Sequence, residues 1–125
     1  MTRLLSHALT PARNPQSGRL DAKRLGDFLG LNVAELARIL HRDPSGLRKR
    51  PDSDTLQAPM TEIEQLAVRV RQLTGDEGYT RMWFHTPNPG LNGKTPLKAL
   101  EDGGADDLKV LLDHVEEDLE KGQYA

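Results

Sequence analysis

The sequence predicts an all-α protein, on three observations. Apolar residues recur at i, i+3, i+4 and i+7 in several separate stretches, the spacing that lines one face of a helix. Capping residues (Asp, Asn, Thr) stand just before those stretches, and Gly or Pro just after them. No run alternates apolar and polar residues as a half-buried strand does. Aromatic residues are only 4% of the 125. The core is therefore expected from Leu, Val, Ile and Ala, a composition that suits packed helices.

Taken in order, residues 1–19 hold Pro11, Asn14, Pro15, Ser17 and Gly18 without a sustained period. They read as a flexible N-terminal arm with at most one short turn at Leu4–Leu9. Asp21 caps a helix reaching about Leu29, with Leu25, Phe28 and Leu29 on one face and Gly30 as its stop. Asn32 caps the next, in which Val33, Leu36, Ala37 and Leu40 keep the helical period. Asp43-Pro44 opens a third, short helix that Pro51 ends. Residues 51–59 read as a polar connector. Thr61 and Glu64 have the spacing of a capping box leading a helix with Ile63, Leu66, Ala67, Val70 and Leu73 in register. A fifth helix is expected from Asp76 to about Thr86, with Tyr79, Met82 and Trp83 on one side, and Pro87-Asn88-Pro89-Gly90 is a turn. Thr95-Pro96 repeats the cap-plus-proline signal for a short helix ending near Asp102, and Gly103-Gly104 breaks it. The last helix carries Leu108, Leu111, Leu112, Val115 and Leu119 and stops at Gly122.

Hydrophobic residues at 36% and charged residues at 29% make a polar but foldable chain, long enough for one compact domain or two very small ones. There is no Cys, which excludes disulfides, thiolate nucleophiles and cysteine metal sites. No signal-peptide apolar run of about 7–15 residues begins the chain, and no stretch approaches the ~20 apolar residues of a membrane span. A cytoplasmic protein without a membrane partner is the expectation. The formal charge of -2 is unevenly spread: residues 1–60 hold ten Lys/Arg against six Asp/Glu, and residues 61–125 seven against thirteen. A basic front and an acidic back point to different partners for the two halves.

The second and third helices carry the spacing of a helix-turn-helix. That motif needs a small residue where the second helix crosses the first, apolar residues beside it, and one apolar anchor further on. Ala37 is the small residue, Leu36 and Leu40 flank it, and Leu47 is the anchor. The turn position four after Ala37 favours Gly because it takes positive φ; here it is His41, a departure better tolerated than a β-branched residue. The third helix presents Ser45, Arg48 and Lys49, with Arg42 before it and Arg50 after it. These five groups suit contact with phosphates and base edges in a major groove. The competing reading is a solvated basic face on an ordinary helical hairpin. Gly46 weakens the short helix by ~1 kcal/mol relative to Ala, or else lets a backbone approach closely.

The most specific pattern lies further on. Trp83, Pro87-Asn88-Pro89, Leu91, Gly93, Thr95-Pro96-Leu97, Leu100, Gly104 and Leu111-Leu112 running to Gly122 are spaced as in the C-terminal toxin-binding domain of the Xre/MbcA/ParS antitoxin family, which the chain resembles from Gly75 onward. The helix-turn-helix is also a family feature, so the resemblance extends over roughly 20–125. With the flexible arm read at 1–19, it implies a DNA-binding region at 20–58 and a toxin-binding region at 59–125. It further implies a cognate toxin of the RES-domain type, which degrades NAD, promoter DNA as a second partner, and a homodimer within a larger complex. In the family the antitoxin's C-terminal end lies at the toxin's cleft, which points to Gly122, Gln123, Tyr124 and Ala125. The acidic run Asp113, Glu116, Glu117, Asp118 and Glu120 reads either as a face for a basic toxin surface or as a solvated helix face. In physical terms the motif is mostly architectural. Trp83 reads first as a core anchor and second as a contact hot spot. Pro87 to Gly93 is a bracing turn, and Pro96 with Leu97 starts a helix.

No constellation for catalysis is visible. His7, His41, His85 and His114 are scattered, Asp106-Asp107 suits a helix N-terminus, and no Gly-rich loop follows a strand. Neither an enzyme nor a bound cofactor or metal is expected. Three readings remain: an antitoxin that binds toxin and DNA, a stand-alone helix-turn-helix regulator, and a protein-interaction adaptor that no longer reads DNA.

Overall fold

The computed structural model describes residues 8–122, which are all-α: seven α-helices and two short 3₁₀ turns, with a single isolated bridge between Arg13 and Leu20 as the nearest approach to a strand. The chain divides into two compact units, residues 1–68 and 69–125. No helix among the described residues is long and apolar enough to cross a membrane.

In the first unit, α1 (Ala22–Leu29) begins where the Asp21 carboxylate accepts from the Arg24 amide and ends at Gly30 with φ 72. A capping box formed by Asn32 and Glu35, a pair three residues apart in the sequence, opens α2 (Val33–Leu40). Asp43 and Pro44 start α3 (Pro44–Lys49), as expected from their order. Helices α1, α2 and α3 pack on one another and bury Leu25, Phe28, Leu29, Leu36, Ala37, Leu40 and Leu47. Gly26 is where α1 meets the turn into α2: a Cβ there would lie 3.0 Å from the Leu31 carbonyl oxygen.

Two expectations are corrected in this unit. Residues 9–20 are anchored rather than loose: Leu9 and Ala12 are fully buried, a 3₁₀ turn spans Thr10–Ala12, and Asp21 N–H donates to the Ala12 carbonyl at 3.0 Å. Buried apolar surface from Leu9, Ala12 and Leu20 outweighs the local preference of Pro and Gly for irregular chain. Residues 4–7 of the expected Leu4–Leu9 turn lie outside the described residues. The polar connector is also absent, because α4 runs from Asp54 to Thr74 with Pro59 inside it. Thr61 is therefore not a cap; its hydroxyl donates to the Gln57 carbonyl at 2.7 Å.

Glu64, its expected capping partner, is buried in the middle of α4. It accepts from the Leu9 amide at 2.8 Å, from Arg13 Nε at 2.8 Å and from Arg13 Nη2 at 2.7 Å. Its hydrogen bond with Glu64 holds the Arg13 guanidinium pKa above its usual value, against the opposing effect of burial. This charged clasp is what fixes the N-terminal segment to α4.

In the second unit α5 (Glu77–Phe84) is capped by Asp76, α6 (Pro96–Glu101) by Thr95, and α7 spans Ala105–Glu120. A 3₁₀ turn at Pro89–Leu91 packs against α7. The core comprises Thr80, Phe84, Leu91, Leu97, Leu100, Leu108 and Leu112 among others. Two apolar faces differ from the periodic reading. On α5, Phe84 and Thr80 face inward while Tyr79 and Met82 stand out in solvent. On α7 the buried pair is Leu108 and Leu112; Leu111 and Val115 are half-buried and Leu119 is exposed. Helical period identifies a stripe but not which edge of it meets the core, and a longer stripe than the core needs leaves its ends exposed.

Candidate functional site

The basic helix comes first. The α2–α3 turn is three residues, His41 to Asp43, and His41 takes φ 57 and ψ 47, the left-handed conformation the motif requires there. Ala37 is 1% exposed, and its carbonyl accepts from the Arg42 amide at 2.9 Å, so the chain reverses directly over it. Leu47 is buried at 3%. It turns the polar side chains of α3 outward: Ser45, Arg48 and Lys49 are exposed, as are Arg42 in the turn before the helix and Arg50 at its C-cap.

The five are not equally available. Ser45 donates its hydroxyl to the Asp43 carboxylate at 2.7 Å, and the Ser45 amide donates to the same oxygen at 2.8 Å. These two bonds, hydroxyl first, hold the Asp43 pKa below its ordinary 3.8, and the charge of Arg48 adds to them. Ser45 thus completes the cap of its own helix. Arg42 reaches only a long 3.5 Å contact with the Leu40 carbonyl. Gly46 lies beside an open cleft of about 830 Å³ whose lining includes Lys49, Arg50 and Arg19. A Cβ on Gly46 would meet nothing within 4 Å, so packing does not demand glycine there. Arg19 is outside the helical pattern altogether. It grips the Asp52 carbonyl at 2.8 Å and the Asp54 carboxylate at 2.5 Å, a pairing 33 to 35 residues apart that no local pattern reveals.

In the second unit the motif residues turn out to build a closed loop and the elements beside it. Asn88 is its centre: its side chain accepts from the Gly90 amide at 2.8 Å, its N–H donates to the Lys94 carbonyl at 3.0 Å, and its carbonyl accepts from Gly93 at 3.0 Å. Gly93 has φ 82 and directly follows Asn92 at φ 57, two left-handed residues in succession. Pro87 is exposed at the loop's entry, while Leu91, Pro96 and Leu97 are buried. Gly90 lets the loop sit against α7, since a Cβ there would come 2.8 Å from Leu111 Cδ1. Trp83 is half-buried rather than central; the fully buried aromatic is its neighbour Phe84, and the two rings meet edge to face at 5.1 Å.

An open cleft of about 600 Å³ lies between the loop and α7, with Leu91, Val110 and Leu111 among its apolar walls and Lys94, Asp102 and His114 among its polar ones. Lys94 donates to Asp102 at 2.9 Å, and that bond, with Lys98 behind it, holds the Asp102 pKa below its ordinary value.

The acidic residues of α7 divide. Asp113 and Glu116 are both bound by Arg69 Nη2 at 2.7 Å, and Glu116 also accepts from Arg69 Nε at 3.3 Å. Glu116 first, and then Asp113, raise the Arg69 pKa. The two carboxylates tie α7 to the end of α4 within this unit. Glu117 lies 3.9 Å from Lys121, while Glu120 and Gly122 are exposed. Gln123, Tyr124 and Ala125 lie outside the described residues. Among the described residues no group of three or more His, Asp or Glu side chains is arranged to hold a metal ion.

Residues 69–117 match the family described as the antitoxin Xre/MbcA/ParS C-terminal toxin-binding domain, the family whose motif the sequence resembles. The match covers the part of the second unit that holds the Asn88 loop, the cleft and most of α7. No curated protein and no solved structure matches the chain.

Proposed function

Because residues 69–117 carry an antitoxin toxin-binding domain of the Xre/MbcA/ParS kind, we propose that the chain is the antitoxin of a toxin–antitoxin pair. In this reading it binds and neutralises a RES-type, NAD-degrading toxin through residues 69–125 and represses its own operon through α2 and α3. The family match is the observation that carries the first half. The second half is supported by the three-residue turn over buried Ala37, by left-handed His41, and by Arg48, Lys49 and Arg50 exposed together at the end of one short helix. Those three cations are the proposed phosphate contacts, with Arg42 beside them; Ser45 is demoted to a cap. The protein binds as a dimer, because motifs of this geometry read paired half-sites about one helical turn apart. The tail from Gly122 to Ala125 is proposed as the segment that enters the toxin's cleft.

Co-expression with the open reading frame adjacent to its own gene tests the first half: the full chain should co-purify with that product as a complex of fixed stoichiometry. For the second half, the log–log salt dependence of binding to its own promoter should lose about 2.7 in slope when Arg48, Lys49 and Arg50 all become Ala, at ~0.9 per phosphate contact. Promoter binding without a co-purifying partner would leave a stand-alone regulator. An unchanged slope would take α3 out of the DNA interface.

A further inference from the structure

Four large apolar side chains stand well out in solvent among the described residues: Tyr79 at 62%, Met82 at 59%, Val110 at 55% and Leu119 at 45%. All four belong to the second unit, none to the first. Isolated exposed leucines or valines are ordinary, but Tyr79 and Met82 are not isolated. They lie three residues apart on α5, and Trp83 lies four from Tyr79, so the three share one face of the helix. The opposite face, Thr80 and Phe84, is fully buried. Helix α5 therefore has a core face and a second apolar face on which Tyr79 and Met82 are exposed and Trp83 is half-buried.

The composition of that face fits a protein partner. Tyr, Trp and Met are enriched where proteins meet, and Trp and Tyr dominate binding hot spots. Trp83 is also held in place by its edge-to-face contact with buried Phe84, so little side-chain freedom remains to be lost on docking. Charge argues against three other occupants. Residues 61–125 carry thirteen Asp/Glu against seven Lys/Arg, which repels nucleic acid and anionic lipid. A second copy of the same unit would bring like charge to like. The helix lies inside 69–117, the span that matches a toxin-binding domain, whereas the tail lies beyond it.

We propose that Tyr79, Met82 and Trp83 form the platform on which the toxin docks. This rests on the antitoxin reading. The test uses the full chain, with the product of the adjacent open reading frame as probe, titrated against wild type, Tyr79→Phe and the double variant Tyr79→Ser/Met82→Ser. The double variant should keep the wild-type thermal midpoint, since both side chains are exposed, and should bind ~30-fold more weakly, the hot-spot threshold of about 2 kcal/mol at 1.4 kcal/mol per decade. Tyr79→Phe should bind as wild type. Equal affinity of wild type and double variant would overturn the platform while leaving the antitoxin reading intact. A double variant that sediments as a smaller species than wild type in the absence of partner would assign the face to a second copy and overturn it too. Failure of wild type itself to bind would sink the antitoxin reading and the platform with it.

Discussion

Replacing Glu64 by Ala should unfasten the N-terminal segment, and the size of the effect can be built from its partners. Glu64 is 2% exposed and its carboxylate accepts three hydrogen bonds, one from the Leu9 amide and two from Arg13. Leu9 is fully buried, so its orphaned N–H costs ~1–3 kcal/mol. The Arg13 side chain is 32% exposed and keeps a 2.6 Å bond to the Gly18 carbonyl. Water therefore screens most of its loss, and ~1 kcal/mol is a fair share. The total is about 3 kcal/mol, or a drop of about 10 °C in midpoint for a chain of this size. Urea unfolding followed by circular dichroism gives the energy, and hydrogen exchange at the Leu9 and Ala12 amides gives the place. Glu64→Gln retains a carbonyl for the Leu9 amide and should lose less. A cost below ~0.5 kcal/mol for Glu64→Ala, or unchanged protection at Ala12, would refute the clasp.

Leu47→Ala should cost ~2–5 kcal/mol, because the side chain is 3% exposed and is the only buried residue of α3; an unaltered melting curve would put Leu47 on the surface. Gly46→Ala should raise stability by up to ~1 kcal/mol, since a Cβ there meets nothing within 4 Å. If DNA approaches that backbone closely, the same change weakens promoter binding; a stabilised variant with unaltered affinity would remove Gly46 from the interface. Asp43 has a depressed pKa, so the stabilisation it gives is complete above its ordinary 3.8 and is lost as pH falls through the lower folded value. Asp43→Asn keeps a good cap but cannot titrate. Its unfolding profile should be flatter than wild type below about pH 4, and coincident acid limbs would show that the cap contributes nothing to the pH dependence.

Local signals were legible in the sequence wherever a helix end is a local event. Asp21, Asn32, Asp43, Asp76 and Thr95 all cap the helices their positions suggest, because capping joins residues two or three apart. Long-range pairing was not legible. Glu64 bonds to Leu9 across 55 residues, and its spacing from Thr61 imitates a capping box. Pro59 resembles a helix stop, yet it sits within the second turn of α4, where one lost N–H bond is outweighed by burial of Leu56, Met60 and Ile63. The exposed basic residues around α3 were readable because Leu47 alone fixes which side of the helix turns outward. The exposed face of α5 was not: Tyr79, Met82 and Trp83 look like a core stripe until Phe84 is seen to fill the core. Of the acidic run, Arg69 withdraws Asp113 and Glu116 into the unit's own structure, a pairing 44 and 47 residues apart.

Growth rescue tests the antitoxin account most directly. Cells expressing the product of the adjacent open reading frame should arrest, with their NAD depleted, and co-expression of the full chain should restore both growth and NAD. Arrest and NAD loss that persist in the presence of the folded, full-length protein would contradict it.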